Sequence, residues 1–138
     1  MHSIHLLLAS ERTILLAPVV GAYLCLSAIG LLRRAELGAF LEDLRQNPSS
    51  MHAVGAVAFL AGASLLSFQR EWSTPGDLAL NLVAAMWAFE GAGMLASPAL
   101  LRAVLRHPRA VAGLRVSFTV TGSVGVYLLI LGVAGRGA

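Results

Sequence analysis

Lysine is missing from this chain, cysteine occurs once, and charge of either sign is scarce: ten arginines and seven acids make 12% of 138 residues. An ordinary soluble domain carries roughly 25% charged residues. Water is therefore not the main solvent of this chain, whose composition is 57% hydrophobic with a mean hydropathy of +0.77. A single Cys25 excludes an intramolecular disulfide, a CxxC redox pair and a cysteine-based zinc cage. Also absent are G-x-x-x-x-G-K-[ST], H-E-x-x-H and G-x-S-x-G, and there is no soluble stretch large enough to hold an active site. Conventional enzymology is not expected.

The apolar residues fall in long blocks separated by compact charged stretches, the pattern of membrane helices rather than of a β-barrel. A bilayer core of about 30 Å needs about 20 apolar residues in a helix. Four blocks meet or approach that length, from about Thr13 to Leu32, Met51 to Phe68, Leu78 to Ala96 and Val116 to Ala134. The expected fold class is an all-α integral membrane protein of four spans in one domain, with Pro18 bending the first. The N-terminus has no basic region and meets Glu11 and Arg12 early, so it does not read as a signal peptide, and the first span is expected to be retained.

Arg33, Arg34 and Arg45 follow the first span, and Arg102, Arg106, Arg109 and Arg115 follow the third. Only Arg12, Arg70 and Arg136 lie on the other side. This bias predicts a multi-pass protein of a bacterial inner membrane with both arginine-rich loops cytoplasmic and both termini periplasmic. The positive charge flanks apolar blocks, which argues for lipid partners and against nucleic acid. Each cytoplasmic loop reads as an amphipathic surface helix. In the first, Leu37, Phe40, Leu41 and Leu44 follow helical spacing, and it is expected to lie flat on the membrane. In the second, capped by Ser97 and Pro98, Leu100, Leu101, Val104 and Leu105 face one way and Arg102, Arg106 and Arg109 form a row for anionic lipid headgroups.

The halves look alike. Ser27-Ala-Ile-Gly-Leu-Leu32 and Glu90-Gly-Ala-Gly-Met-Leu95 precede the two loops, Pro48 and Pro108 close them, and Gly62 and Gly122 lie equally far beyond. This suggests a tandem repeat of about 13–68 and 78–134, arranged as two helix hairpins, each joined through its surface helix.

Glu90 is the one acid well inside an expected span, some six residues or roughly 9 Å from its cytoplasmic end. An intramembrane carboxyl is a functional-site candidate by default. It is expected either to titrate protons or to hydrogen-bond across helices to Ser27, Thr119 and Ser123, which lie at matching depth. Ala58 with Gly62 and Ala84 with Ala88 are expected at close helix contacts, and Asn81 as polar glue. His2 with His5, and His52 with His107, are too loosely spaced to predict a metal or haem site, so no cofactor is expected.

Two functions fit. One is an accessory or structural subunit of a larger inner-membrane complex, contributing helix and lipid contacts to other membrane subunits. The other is a small homodimeric proton-coupled transporter using Glu90. The spare extramembrane mass favours the first.

Overall fold

The computed structural model describes residues 9–136, without the side chains of Arg34, Ala35, Pro108, Ala110, Val111 and Arg136. His2 and His5 lie outside the described residues. Among the described residues the chain is all-helical: α1 Glu11–Leu32, α2 Arg34–Gln46, α3 Pro48–Phe68, α4 Pro75–Ala96, α5 Pro98–Leu105 and α6 Pro108–Arg136. Four stretches are long and apolar enough to cross a membrane, Glu11–Leu32, Pro48–Phe68, Pro75–Ala96 and Ala112–Gly135. The protein is thus a multi-pass membrane protein.

Helix starts follow local chemistry. Proline opens α3, α4, α5 and α6, where its missing N–H costs nothing. Ser10 caps α1 by accepting from the Thr13 N–H, and Asn47 caps α3 by accepting from the Ser49 N–H. Helix α1 runs unbroken through Pro18, whose ring lies against Gly132 of α6; a Cβ there would fall 2.3 Å from the proline Cδ and Cγ.

The expected tandem hairpins are not the close pairs. Helix α1 packs along α6, the first span against the last, and α3 packs along α4. The cause is where glycines let backbones meet. At Gly62 a Cβ would lie 2.5 Å from the Ala84 carbonyl oxygen and 2.4 Å from the Ala88 nitrogen, and at Gly91 it would lie 2.3 Å from the Phe59 nitrogen. Gly62 thus meets Ala84 and Ala88 along the α3–α4 seam, and Ala58 is half-buried in α3. The α1–α6 seam is built likewise. Gly125 lies against the Gly21 carbonyl and the Cys25 amide, and Gly122 against Ala28. Because contacts advance along one helix as they recede along the other, both pairs are antiparallel. In lipid, where apolar burial gives little drive, such dispersion contact is the main adhesive.

Between the pairs, Ala17, Val20, Leu24, Leu80, Val83 and Leu128 form a closed apolar core. Tyr23 of α1 meets Trp87 of α4 edge-on, with ring centroids 5.3 Å apart. At one end of the bundle α2 buries Leu37, Leu41 and Leu44 against Met51 and Leu105, with Phe40, Leu101 and Met94 partly covering them. The apolar face of α2, expected against lipid, is turned into the protein, because α5 and the first turn of α3 offer it a drier partner. Arg45 donates from its guanidinium to the Leu105 carbonyl at the end of α5, a favourable place for positive charge.

The seams make a direct prediction. Gly62→Ala pushes a methyl into backbone that cannot swing aside and is expected to destabilise the bundle by about 1–3 kcal/mol. Gly93→Ala meets nothing within 4 Å and is expected to be neutral or to stabilise by up to about 1 kcal/mol through helix propensity. Thermal unfolding followed by circular dichroism in mild detergent checks the contrast; equal effects would contradict the seam.

Candidate functional site

The polar residues of the bundle gather at the end opposite α2 and α5, and Asp77 organises them. The side chain is fully buried, as are Thr13 and Asn81, with Gln69 1% exposed. Asp77 is the third residue of α4, where it closes a reciprocal cap: Thr74 Oγ1 accepts from the Asp77 N–H, and Asp77 Oδ2 accepts from the Thr74 N–H, both at 3.2 Å. Its other oxygen reaches two more elements. Asp77 Oδ1 accepts from Thr13 Oγ1 at 2.6 Å, Ser10 Oγ at 2.7 Å, the Ser10 N–H at 3.1 Å and Gln69 Nε2 at 3.1 Å.

One carboxylate thus ties the start of α1, the residue after α3 and the start of α4. Three of its donors are N–H groups that cannot reverse roles, an arrangement that suits the ionised carboxylate. Gln69 Nε2 also donates to Thr13 Oγ1, and Asn81 Nδ2 donates to the Glu71 carbonyl at 2.7 Å. Both amide oxygens, Gln69 Oε1 and Asn81 Oδ1, are buried with no partner among the described residues. Arg12 reaches the Phe68 carbonyl at 3.4 Å, closing the end of α3. A water-accessible cavity of about 440 Å³ adjoins the cluster, lined by Ser10, Glu11, Arg12, Glu71, Ser73 and Thr74.

Sequence reasoning passed over Asp77, Gln69 and Thr13. The Thr74-x-x-Asp77 spacing before an apolar run is the signature of a capping box and is the signal that could have singled out Asp77. Nothing local marked Gln69, whose role comes from the fold.

Glu90 is held differently. It is exposed on α4 beside Phe89, which is 82% exposed. Among the described residues it has no hydrogen-bond or ion-pair partner. The expected bonds to Ser27, Thr119 and Ser123 do not form. The Thr119 hydroxyl donates to the Arg115 carbonyl and the Ser123 hydroxyl to the Thr119 carbonyl, each four residues back on its own helix. Ser27 lies on α1, lining a surface groove with Gly30, Leu31, Arg33, Glu36, Ala39 and Phe40.

The arginine row does not form on one helix either. Helix α5 ends at Leu105, Arg106 is its C-cap, and Arg109 belongs to the first turn of α6, because Pro108 cannot continue the preceding helix. Arg102 donates to the Pro98 carbonyl of its own helix, while Arg106 and Arg109 are exposed. His52 contacts the Pro48 carbonyl through Nδ1 at 2.9 Å. No group of three or more His, Cys, Asp or Glu residues comes together among the described residues.

No protein-family model, curated protein or solved structure matches this chain.

Removing the carboxylate strands its donors. Asp77→Ala is expected to destabilise by roughly 3 kcal/mol or more, since several buried donors lose their acceptor together. Thr74→Ala, which removes one cap bond, is expected to lose about 1 kcal/mol. Thermal unfolding, paired with protease sensitivity of the 69–74 connection, reads both. A smaller loss in Asp77→Ala than in Thr74→Ala would refute the central place given to this residue.

Proposed function

We propose that the protein is an accessory subunit of a larger bacterial inner-membrane assembly, docking to a neighbouring subunit through the outer face of α4 around Glu90. The observation that carries this reading is the exposed, unpartnered carboxyl of Glu90 within an apolar span. Facing hydrocarbon, such a group costs several kcal/mol. Against a donor or arginine on a neighbouring helix the same group becomes a specific contact. The adjoining Phe89, Leu82 and open Gly93 supply apolar area and room for close approach.

The packing also supports a tandem repeat. A single shift of 63 positions takes Gly21 to Ala84, Cys25 to Ala88 and Gly62 to Gly125, so Gly62 meets α4 as Gly125 meets α1. Alignment on the prolines pairs Gly62 with Gly122 instead. The difference arises because α2 has 13 residues and α5 only eight, so α6 begins earlier in its unit. The close pairs α3–α4 and α6–α1 are then equivalent contacts between two parallel units. Under the same shift Ser27 corresponds to Glu90. The bundle has two related outer faces, of which one carries an acid, as suits docking on a single side.

The arginine bias argues for a cytoplasmic position of α2 and α5, with Arg106 and Arg109 available to anionic headgroups at about 1 kcal/mol each. The periplasmic end is then the one holding Asp77.

The test is recovery of the tagged chain from its native membrane in mild detergent. A stable hetero-complex is expected, with recovery of the partner at least tenfold lower for Glu90→Gln and unchanged for Ser27→Ala. A homodimer without other subunits, in which Glu90→Gln stops proton-coupled solute movement and spares assembly, would replace this reading with the transporter.

A further inference from the structure

From the cluster around Asp77 we infer a binding site for one small monovalent cation, of the sodium class, at the end of the bundle where α1 and α4 begin. Three observations converge. The first is charge: Asp77 is fully buried, yet no cationic side chain pairs with it among the described residues. A buried carboxylate without a countercharge is unfavourable even when richly hydrogen-bonded. The second is the orphaned acceptors. Gln69 is 1% exposed and Asn81 fully buried, and each gives its amide N–H to an oxygen while its own oxygen meets no donor among the described residues.

Flipping either amide does not resolve this. It would turn the Gln69 oxygen toward the Asp77 carboxylate, or the Asn81 oxygen toward the Glu71 carbonyl, setting acceptor against acceptor. The cluster therefore has more lone pairs than donors as folded. Asn81 lies one turn beyond Asp77 on the same face of α4, and the Gln69 amide rests on the Asp77 carboxylate. Asp77 Oδ2, bonded only by the Thr74 N–H, retains a free lone pair.

The third observation is access. The cavity of about 440 Å³ shares Ser10 and Thr74 with the cluster and is also lined by Glu11 and Glu71. Its arginine, Arg12, is engaged with the Phe68 carbonyl. The two acids in the lining favour a cation entering from water, by electrostatic focusing.

The donor set selects the ion. All donors are hard oxygens, one carboxylate and two amides, with no imidazole or thiolate, which excludes the softer transition metals. One negative charge matches one positive charge. Calcium sites typically gather several carboxylates, and magnesium keeps most of its water in near-octahedral geometry.

The experiment uses the full chain in mild detergent at fixed ionic strength, with sodium chloride exchanged for choline chloride. The expected result is a saturable rise in Tm with sodium of about 4 °C or more, absent with choline. Asn81→Leu, which removes one oxygen and keeps the helix, is expected to raise the sodium midpoint at least tenfold. Asp77→Asn is expected to abolish the response. Equal Tm in sodium and choline would overturn the site and leave a buried water as the occupant. So would an unchanged sodium midpoint in folded Asn81→Leu.

Discussion

The carboxylate of Asp77 is the one polar anchor on which the arrangement of these helices depends. Seams of glycine and alanine can hold helices α1 and α6, or α3 and α4, side by side, but contacts among small residues repeat along a helix and fix register weakly. A carboxylate that must satisfy Ser10, Thr13, Gln69 and Thr74 together admits one register. It sets where α1 begins relative to α4 and where the chain must leave α3. The Tyr23–Trp87 contact and the apolar core around Leu24 and Leu80 then follow across the pairs.

The opposite end is fastened by different physics. There α2 and α5 cross the helix ends and close a plug of Leu37, Leu41, Leu44, Met51 and Leu105, with Arg45 on the Leu105 carbonyl. One end is polar and directional, the other apolar and adaptable. Between them the lateral surfaces carry large exposed side chains such as Val19, Leu26, Leu60 and Phe89, which suit lipid or another protein. Glu90 is the charged exception on that surface.

Much of the fold could be read from the residues. Four apolar blocks of about the right length matched four helices able to span a membrane, and Pro98 was legible as the first turn of a helix, where its missing N–H costs nothing; Pro48 and Pro108, read as the ends of the two loops, in fact open α3 and α6. Gly62, Ala84 and Ala88 were recognisable as a seam. The pairing of the helices was not, since small residues on a span show that it packs closely without saying against which neighbour. The same ambiguity led the inward-facing Leu37, Leu41 and Leu44 to be read as a lipid-facing stripe; periodicity reports an apolar face and not its partner. Of the site, Glu90 stood out because a charge within an apolar run is rare. Asp77 did not, since it lies at the edge of its span, where a carboxylate reads as an ordinary cap.

The central claim is that the α4 face bearing Glu90 is covered by another protein in the membrane. Photo-crosslinking in native membranes tests it most directly, with a photoreactive phenylalanine derivative placed at position 89 and, for comparison, at position 26, its counterpart under the 63-residue shift. The account predicts a discrete protein adduct from position 89 and lipid adducts alone from position 26. Lipid adducts alone from both positions would contradict it.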